Sequence, residues 1–307
     1  ELHLQDIDAI DDGSETVSFA GTLILRWRDA RQAFDTAGGG ARELLFNDLE
    51  ALSDLHPTWL PSVDLLNAAG PLEVRSELLR IRPDGTCTLV RSVNGMAKSR
   101  LDLTRFPFDE QQVEIMLRLH GMARQEAFLV PSGQGAFVDL GTLRVPQWDL
   151  RAAAVHDRII RTKVFGSAVE VPVLVVTIDI ARDPVHILRL VVLPLAIIVV
   201  LSWSVFWMDR SSLGDRMSVS FVGILTAVTY QVLLSDVLPD ISYTTFIHAF
   251  INFSFFAMAL SVPVNLLVGI HDQRGKAERG DRLDRICRWA FPAGYALMLA
   301  ASWAYFR

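Results

Sequence analysis

An all-β immunoglobulin-like sandwich followed by an all-α domain of four membrane helices is the fold class the sequence predicts. Three observations carry it. Hydrophobic residues fill 51% of the 307 positions, more than a water-soluble domain averages. The excess lies after Asp183, where long apolar runs begin. Before that point, short stretches alternate apolar and polar residues with the period of two that half-buried strands show. The domains are therefore expected to be 1–183 and 184–307, with the boundary at Asp183-Pro184.

The strands come first. From Val17 to Trp27 the odd positions read Val17, Phe19, Gly21, Leu23, Leu25 and Trp27, and Ser18, Thr22 and Arg26 fall between them. From Val113 to Leu119 the odd positions are Val113, Ile115, Leu117 and Leu119, against Glu114, Met116, Arg118 and His120. Val171 to Ile180 is a β-branched run that stops at Asp183-Pro184. Pro83-Asp84-Gly85, Asn94-Gly95 and Ser132-Gly133 are read as turns. Ala41 to Leu55 is read as a short helix, and Gly38-Gly39-Gly40 as a loop. Many short strands with such punctuation predict an antiparallel sandwich. Trp148 is expected in its core.

Four later segments are each long enough to cross a bilayer, which takes about 20 helical residues. They run from about Val185 to Met208, Arg216 to Leu238, Thr244 to Ile270 and Ile286 to Phe306. The linker between the third and fourth holds Arg274, Lys276, Arg279, Arg282 and Arg285. The one between the second and third holds Asp236 and Asp240 and no base. The positive-inside rule puts the basic linker in the cytoplasm and the sandwich outside, which in a Gram-negative cell is the periplasm. Pro194 and Pro263 lie inside their helices and free the carbonyls of Leu190 and Ala259.

The second segment differs from a lipid-facing span. At alternating steps of three and four, Asp215, Ser218, Val222, Leu225, Thr229, Val232 and Asp236 fall on one stripe. Two acids bracket it, and two hydroxyls interrupt it. A helix lining water keeps such a stripe. A seam between packed helices also accepts Ser and Thr, and the pattern alone leaves both readings open.

Composition excludes several classes. The net charge of -6 and the lack of a Lys/Arg-rich block before the membrane part give no sign of nucleic-acid binding. Cys87 and Cys287 lie one in each half, so no bridge is expected between them. No GxSxG, HExxH or Walker pattern occurs, so neither an enzyme nor a cofactor or metal is expected. No signal peptide precedes Glu1, so either a targeting segment has been removed or the chain starts at its mature end.

Several motifs together resemble one family. Phe106-Pro107-Phe108-Asp109 is similar to the centre of the signature loop of the Cys-loop receptors, with Ser99 and Val113 where the animal receptors carry cysteines. Trp27-Arg28-Asp29 resembles the family's tryptophan and acid after the second strand. Trp59-Leu60-Pro61 with Asn67 resembles its first agonist-site loop. Asp183-Pro184 and Pro194 resemble the start and interior proline of its first helix. Leu238-Pro239 and Tyr243-Thr244-Thr245 resemble the loop after its pore helix. The missing cysteines and the short linker over residues 271–285 resemble the bacterial pentameric ligand-gated channels. Ser202-Trp203-Ser204-Val205-Phe206-Trp207 and Ala290-Phe291-Pro292 resemble most closely the amine-gated bacterial type. The likeness runs along nearly the whole chain.

The resemblance implies a ring of this chain with four identical partners in the bacterial inner membrane, opened by a small-molecule agonist and passing monovalent cations. It implies that Asp215 forms an acidic ring at the cytoplasmic mouth, where the anion channels carry Pro-Ala and this chain has Gly214-Asp215. Ser218 then gives a polar constriction and Val222, Leu225 and Val232 apolar rings. Thr229 lies among them, and Asp236 forms an outer acidic ring. Arg216 is expected to turn away and pair with an acid or a lipid headgroup. The agonist pocket falls at Thr22, Leu66, His120 and Val171, with Phe165 at the tip of the capping loop. The amine-gated type has two acids there, and this chain has Asp64 and Arg118. That exchange suggests a carboxylate-bearing or zwitterionic ligand. Coupling is implied for Phe106, Pro107, Phe108, Asp109, Arg182, Asp183, Pro239 and Asp240, with Arg182 pairing Asp109 or Asp29. His248 is a candidate proton sensor. The rival reading is a periplasmic sensor that binds ligand and conducts nothing.

Overall fold

The computed structural model describes residues 1–35, 42–47, 59–120, 127–131, 137–138, 144–164, 167–209, 212–235 and 243–306. Two compact units emerge, one of Glu1–Leu101 with Glu110–Ala181, the other of Asp102–Asp109 with Arg182–Arg307.

Among the described residues, the first unit holds ten strands: β1 (Leu2–Asp11), β2 (Thr16–Arg28), β3 (Leu44–Phe46), β4 (Val63–Leu65), β5 (Glu73–Ile81), β6 (Thr86–Lys98), β7 (Glu110–Leu119), β8 (Phe137–Val138), β9 (Trp148–Val164) and β10 (Ser167–Arg182). They form a six-stranded sheet, β3-β5-β6-β2-β1-β8, and a four-stranded sheet, β4-β7-β10-β9. β1 pairs β8 in parallel, whereas β1–β2, β2–β6, β5–β6, β3–β5, β4–β7 and β7–β10 are antiparallel. The alternation read from the sequence decides what goes inside. Val17, Phe19, Leu23 and Leu25 of β2 meet Val113, Ile115, Leu117 and Leu119 of β7 in one core, which also holds Trp148. Burying each such side chain is worth about 1.5–3 kcal/mol.

Two local readings are overturned. Asn94-Gly95 is no turn but lies inside β6, opposite Ala20 and Phe19 of β2. A Cβ on Gly95 would stand 2.6 Å from the Phe19 ring, so this glycine makes room for an aromatic neighbour. Residues 44–46, expected in a helix, form edge strand β3 against β5. The rest of that helix, the Gly38-Gly39-Gly40 loop and Ser132-Gly133 lie outside the described residues. Pro83-Asp84-Gly85 is the turn between β5 and β6. Gly85 has φ +79°, and a Cβ there would meet the Asp29 carbonyl oxygen at 2.5 Å, so only glycine fits.

The second unit holds α1 (Val185–Trp207), α2 (Leu213–Leu234), α3 (Phe246–Gln273) and α4 (Ala277–Phe306). Among the described residues, α1, α2 and α3 are long and apolar enough to cross a membrane. The fourth expected span is a helix, but it is one continuous piece with the basic linker, and its later half is rich in Ala and holds no Ile or Val. α1 is irregular, with a π-helical turn at Leu188–Val192 and a 3-10 end at Trp203–Trp207. Pro194 cannot bond the Leu190 carbonyl. The Tyr230 hydroxyl of α2 donates to that carbonyl instead.

Candidate functional site

On α2 the expected stripe is open. Asp215, Ser218, Val222, Leu225, Thr229 and Val232 are all exposed, Leu225 at 67%. Asp236 lies outside the described residues. The opposite face carries the buried Arg216, Ser220, Ala227 and Leu234. Only 17% of the most apolar window of α2 is buried, against 28% for α1 and 39% for α3, so within one chain α2 lacks much of its cover. The hydroxyls on or beside the stripe are satisfied by their own helix: Ser218 donates to the Gly214 carbonyl at 2.9 Å, Thr226 to Val222 at 2.8 Å and Thr229 to Leu225 at 3.0 Å. Asp215 sits in the first turn, where the helix dipole favours an anion. Arg216 turns inward, and its guanidinium donates to both oxygens of Asp284 on α4 at 2.9 and 2.6 Å.

The residues expected to bind ligand divide between the two sheets. On the outer face of the four-stranded sheet, Leu66 and Val171 join Met116, Ile160, Val173 and Val175 in an apolar patch. Asp64 and Arg118 face each other across β4 and β7. Arg118 does not stand free for a ligand carboxylate: its Nε and Nη2 donate to the two oxygens of Asp64 at 2.8 and 3.1 Å. His120 Nδ1 lies 2.9 Å from the same carboxylate. Burial raises the pKa of Asp64, but the guanidinium and imidazole outweigh it and hold the carboxyl below its usual range. Thr22 lies in β2 of the six-stranded sheet, where it pairs Ser92 of β6 and accepts from Gln5 at 3.1 Å. One sandwich therefore cannot bring Thr22 to the Asp64 face. Phe165 lies outside the described residues.

Two features of this face escaped the sequence reading. Arg158 donates to both oxygens of Glu114 at 3.1 and 2.6 Å, giving the patch a second ion pair. Their alternation with Met116 and Ile160 was the available signal. Asn67 is fully used within the sandwich. Its amide donates to the carbonyls of Lys98 and Glu114 at 2.7 and 2.8 Å, and its oxygen accepts from the Met116 N–H at 3.0 Å.

Phe106 to Asp109, expected to couple the domains, belong to the helical unit. Asp109 and Arg182 form a buried pair, with Nε to Oδ1 at 2.8 Å and Nη2 to Oδ2 at 3.3 Å. The guanidinium also lies 4.8 Å from the Phe106 ring centre. Arg182 thus takes Asp109, and Asp29 pairs Arg31. The peptide before Pro107 is cis. Phe108 meets Phe246 of α3 edge-on at 5.8 Å, and the Leu103 N–H donates to the Tyr243 hydroxyl at 2.9 Å. Asp183 caps the start of α1 by accepting from the Val185 N–H at 3.0 Å. Pro239 and Asp240 lie outside the described residues. Ser99, in a cysteine position of the family, accepts from the Glu114 N–H at 3.3 Å and donates to the Gln112 carbonyl at 3.4 Å. Hydrogen bonds thus stand at a position where the animal receptors carry a cysteine. Both cysteines are free. His248 lies in the first turn of α3 rather than deep within it, paired with the capping Thr245 hydroxyl at 2.8 Å.

Residues 1–184 match the neurotransmitter-gated ion-channel ligand binding domain, and residues 191–279 match the neurotransmitter-gated ion-channel transmembrane region. Over 314 aligned residues the chain is 24% identical to the proton-gated ion channel of Gloeobacter violaceus, covering 96% of this chain and 79% of the relative. Over 298 residues it is 22% identical to the gamma-aminobutyric acid receptor subunit beta-4 of Gallus gallus, covering 92% of this chain and 58% of the relative. With a two-sheet sandwich ahead of apolar helices, and with both family regions matched in order, this chain belongs to the neurotransmitter-gated ion-channel family, whose members are ligand-gated ion channels and not enzymes.

Proposed function

We propose that five copies of this chain form a cation-selective channel in the bacterial inner membrane, with 1–183 in the periplasm as ligand-binding domain and 184–307 as pore domain. The exposed stripe on α2 carries this reading. Its acid and hydroxyls suit water rather than lipid, and a single chain leaves it uncovered. Five Asp215 carboxylates at the cytoplasmic mouth draw in cations and repel anions. Val222, Leu225 and Val232 form apolar rings that shed water and close the pore. Carboxylate rings select by sign, so sodium and potassium pass alike.

The agonist binds between neighbouring sandwiches. Thr22 lies on one sheet and Asp64, Leu66, Arg118, His120 and Val171 belong to the other, so two copies are needed to unite them. Because Arg118 is already engaged by Asp64, the ligand meets a neutralised pair beside an apolar floor rather than a free guanidinium. Signal passes through Phe106 to Asp109, Arg182 and Asp183 to the helices. Protons are included among the agonists to be screened, since one relative is a proton-gated ion channel.

Electrophysiology of the purified protein in bilayers tests this. Compounds and pH are screened for opening, then the reversal potential is read in a salt gradient. The expected value lies near the cation potential. Reversal near the chloride potential, or no current with any agonist, overturns the reading.

A further inference from the structure

Among the described residues, Arg216 heads the fully buried side chains by volume. It follows Asp215 directly in the chain, yet it points into the protein. Three helices converge on it. Asp284 of α4 takes both terminal nitrogens, and Nη2 also reaches Asn265 Oδ1 of α3 at 2.9 Å. Asn265 in turn donates to Ser220 Oγ of α2 at 2.9 Å. Arg216 Nε has no partner. The backbone is held close here too, since a Cβ on Gly269 of α3 would stand 2.6 Å from the Leu213 side chain at the start of α2. The guanidinium itself is wholly buried and held by three hydrogen bonds.

From this geometry we infer that Asp284, on a helix that contributes nothing to the stripe, is a specificity-determining residue of the conducting mouth. A buried cation fixed one residue from Asp215 acts on permeating ions through protein rather than water, where charges are poorly screened. Left uncompensated in five subunits, it opposes the acidic ring. Asp284 cancels it from behind, so that Asp215 alone sets the sign of the field at the mouth. Asn265 and Ser220 are positioning residues that hold the guanidinium in place. The inference rests on the reading of α2 as the wall of a cation pore.

The test compares wild type, Asp284→Asn, and Arg216→Gln with Asp284→Asn, all as reconstituted full-length channels in a salt gradient. Asp284→Asn is expected to lower the cation-to-anion permeability ratio by on the order of fivefold. The double variant, which has lost both charges, is expected to return to the wild-type ratio. A merely structural pair predicts the reverse order, with the double variant at least as disturbed as the single one. An unchanged ratio in Asp284→Asn, or no recovery in the double variant, overturns the inference while leaving the cation-channel reading in place. A wild-type channel that prefers anions overturns both, and shows it before any variant is made. Where the single variant does not assemble alone, it is co-expressed with wild-type chains. Conductance for cations is then expected to fall stepwise with each altered subunit, and equal conductance across the mixed channels refutes the inference.

Discussion

Single side chains test the proposed gate and the proposed ligand face. Leu225 lies ten positions beyond Asp215 on the same stripe, about 15 Å along the helix, and is two-thirds exposed in one chain. Five such leucines give passing ions nothing to replace their hydration. Leu225→Ala wets that ring and removes the advantage of the closed state. Agonist sensitivity is expected to rise and spontaneous openings to appear in single-channel records. Unaltered sensitivity would move the gate to Val222 or Val232. At the ligand face, the depressed pKa of Asp64 gives a pH effect of definite sign. Its ion pair stabilises the sandwich above the unfolded carboxylate pKa of about 3.9, and that contribution is lost as pH falls through the lower folded value. The pair is partly exposed, so Asp64→Asn is expected to cost about 1 kcal/mol or less. In a thermal series from neutral pH downward, the variant should lose its disadvantage in acid. A constant deficit at every pH would argue against the ion pair as the cause.

At the scale of elements, the end of β10 and the segment Asp102–Asp109 are fastened by one buried ion pair. Removing one partner of such a pair leaves the other's charge uncompensated, at a cost of about 3–5 kcal/mol. Arg182→Ala is therefore expected to lower the thermal midpoint steeply, with Arg182→Lys intermediate because it restores the charge but not the two-pronged contact. A midpoint within error of wild type would mean that Asp109 is not held by this contact. The π-helical turn in α1 shows the same economy of backbone groups. Pro194 leaves a carbonyl open and Tyr230 of α2 fills it, so a defect in one helix becomes a fastening between two.

For the whole molecule, the decisive quantity is copy number. The exposed stripe on α2 and the proposed ligand residues, divided between two sheets, would both gain neighbours in the proposed closed ring. The protein in detergent is expected at five times 34.2 kDa once bound detergent is subtracted. A stable monomer or dimer would sink the proposed pore.

The sequence by itself determined the order of the two units, the core faces of β2 and β7, and the helical phase of the stripe. These follow from strict periodicities, two along a strand and 3.6 along a helix, that every residue obeys locally. It also determined, through Pro194, that the Leu190 carbonyl would need another donor. Only the tertiary structure decided which group meets which. Asn94-Gly95 looked like a turn because its composition suits one, yet long-range pairing with β2 drew it into a strand. Arg118 looked available because nothing local reveals that Asp64, 54 positions away, lies across from it. Arg216 was expected to find an acid or a lipid headgroup, and its partner is an acid 68 positions on. Charge pairing at such separations depends on which surfaces the fold brings together, and no local pattern encodes it.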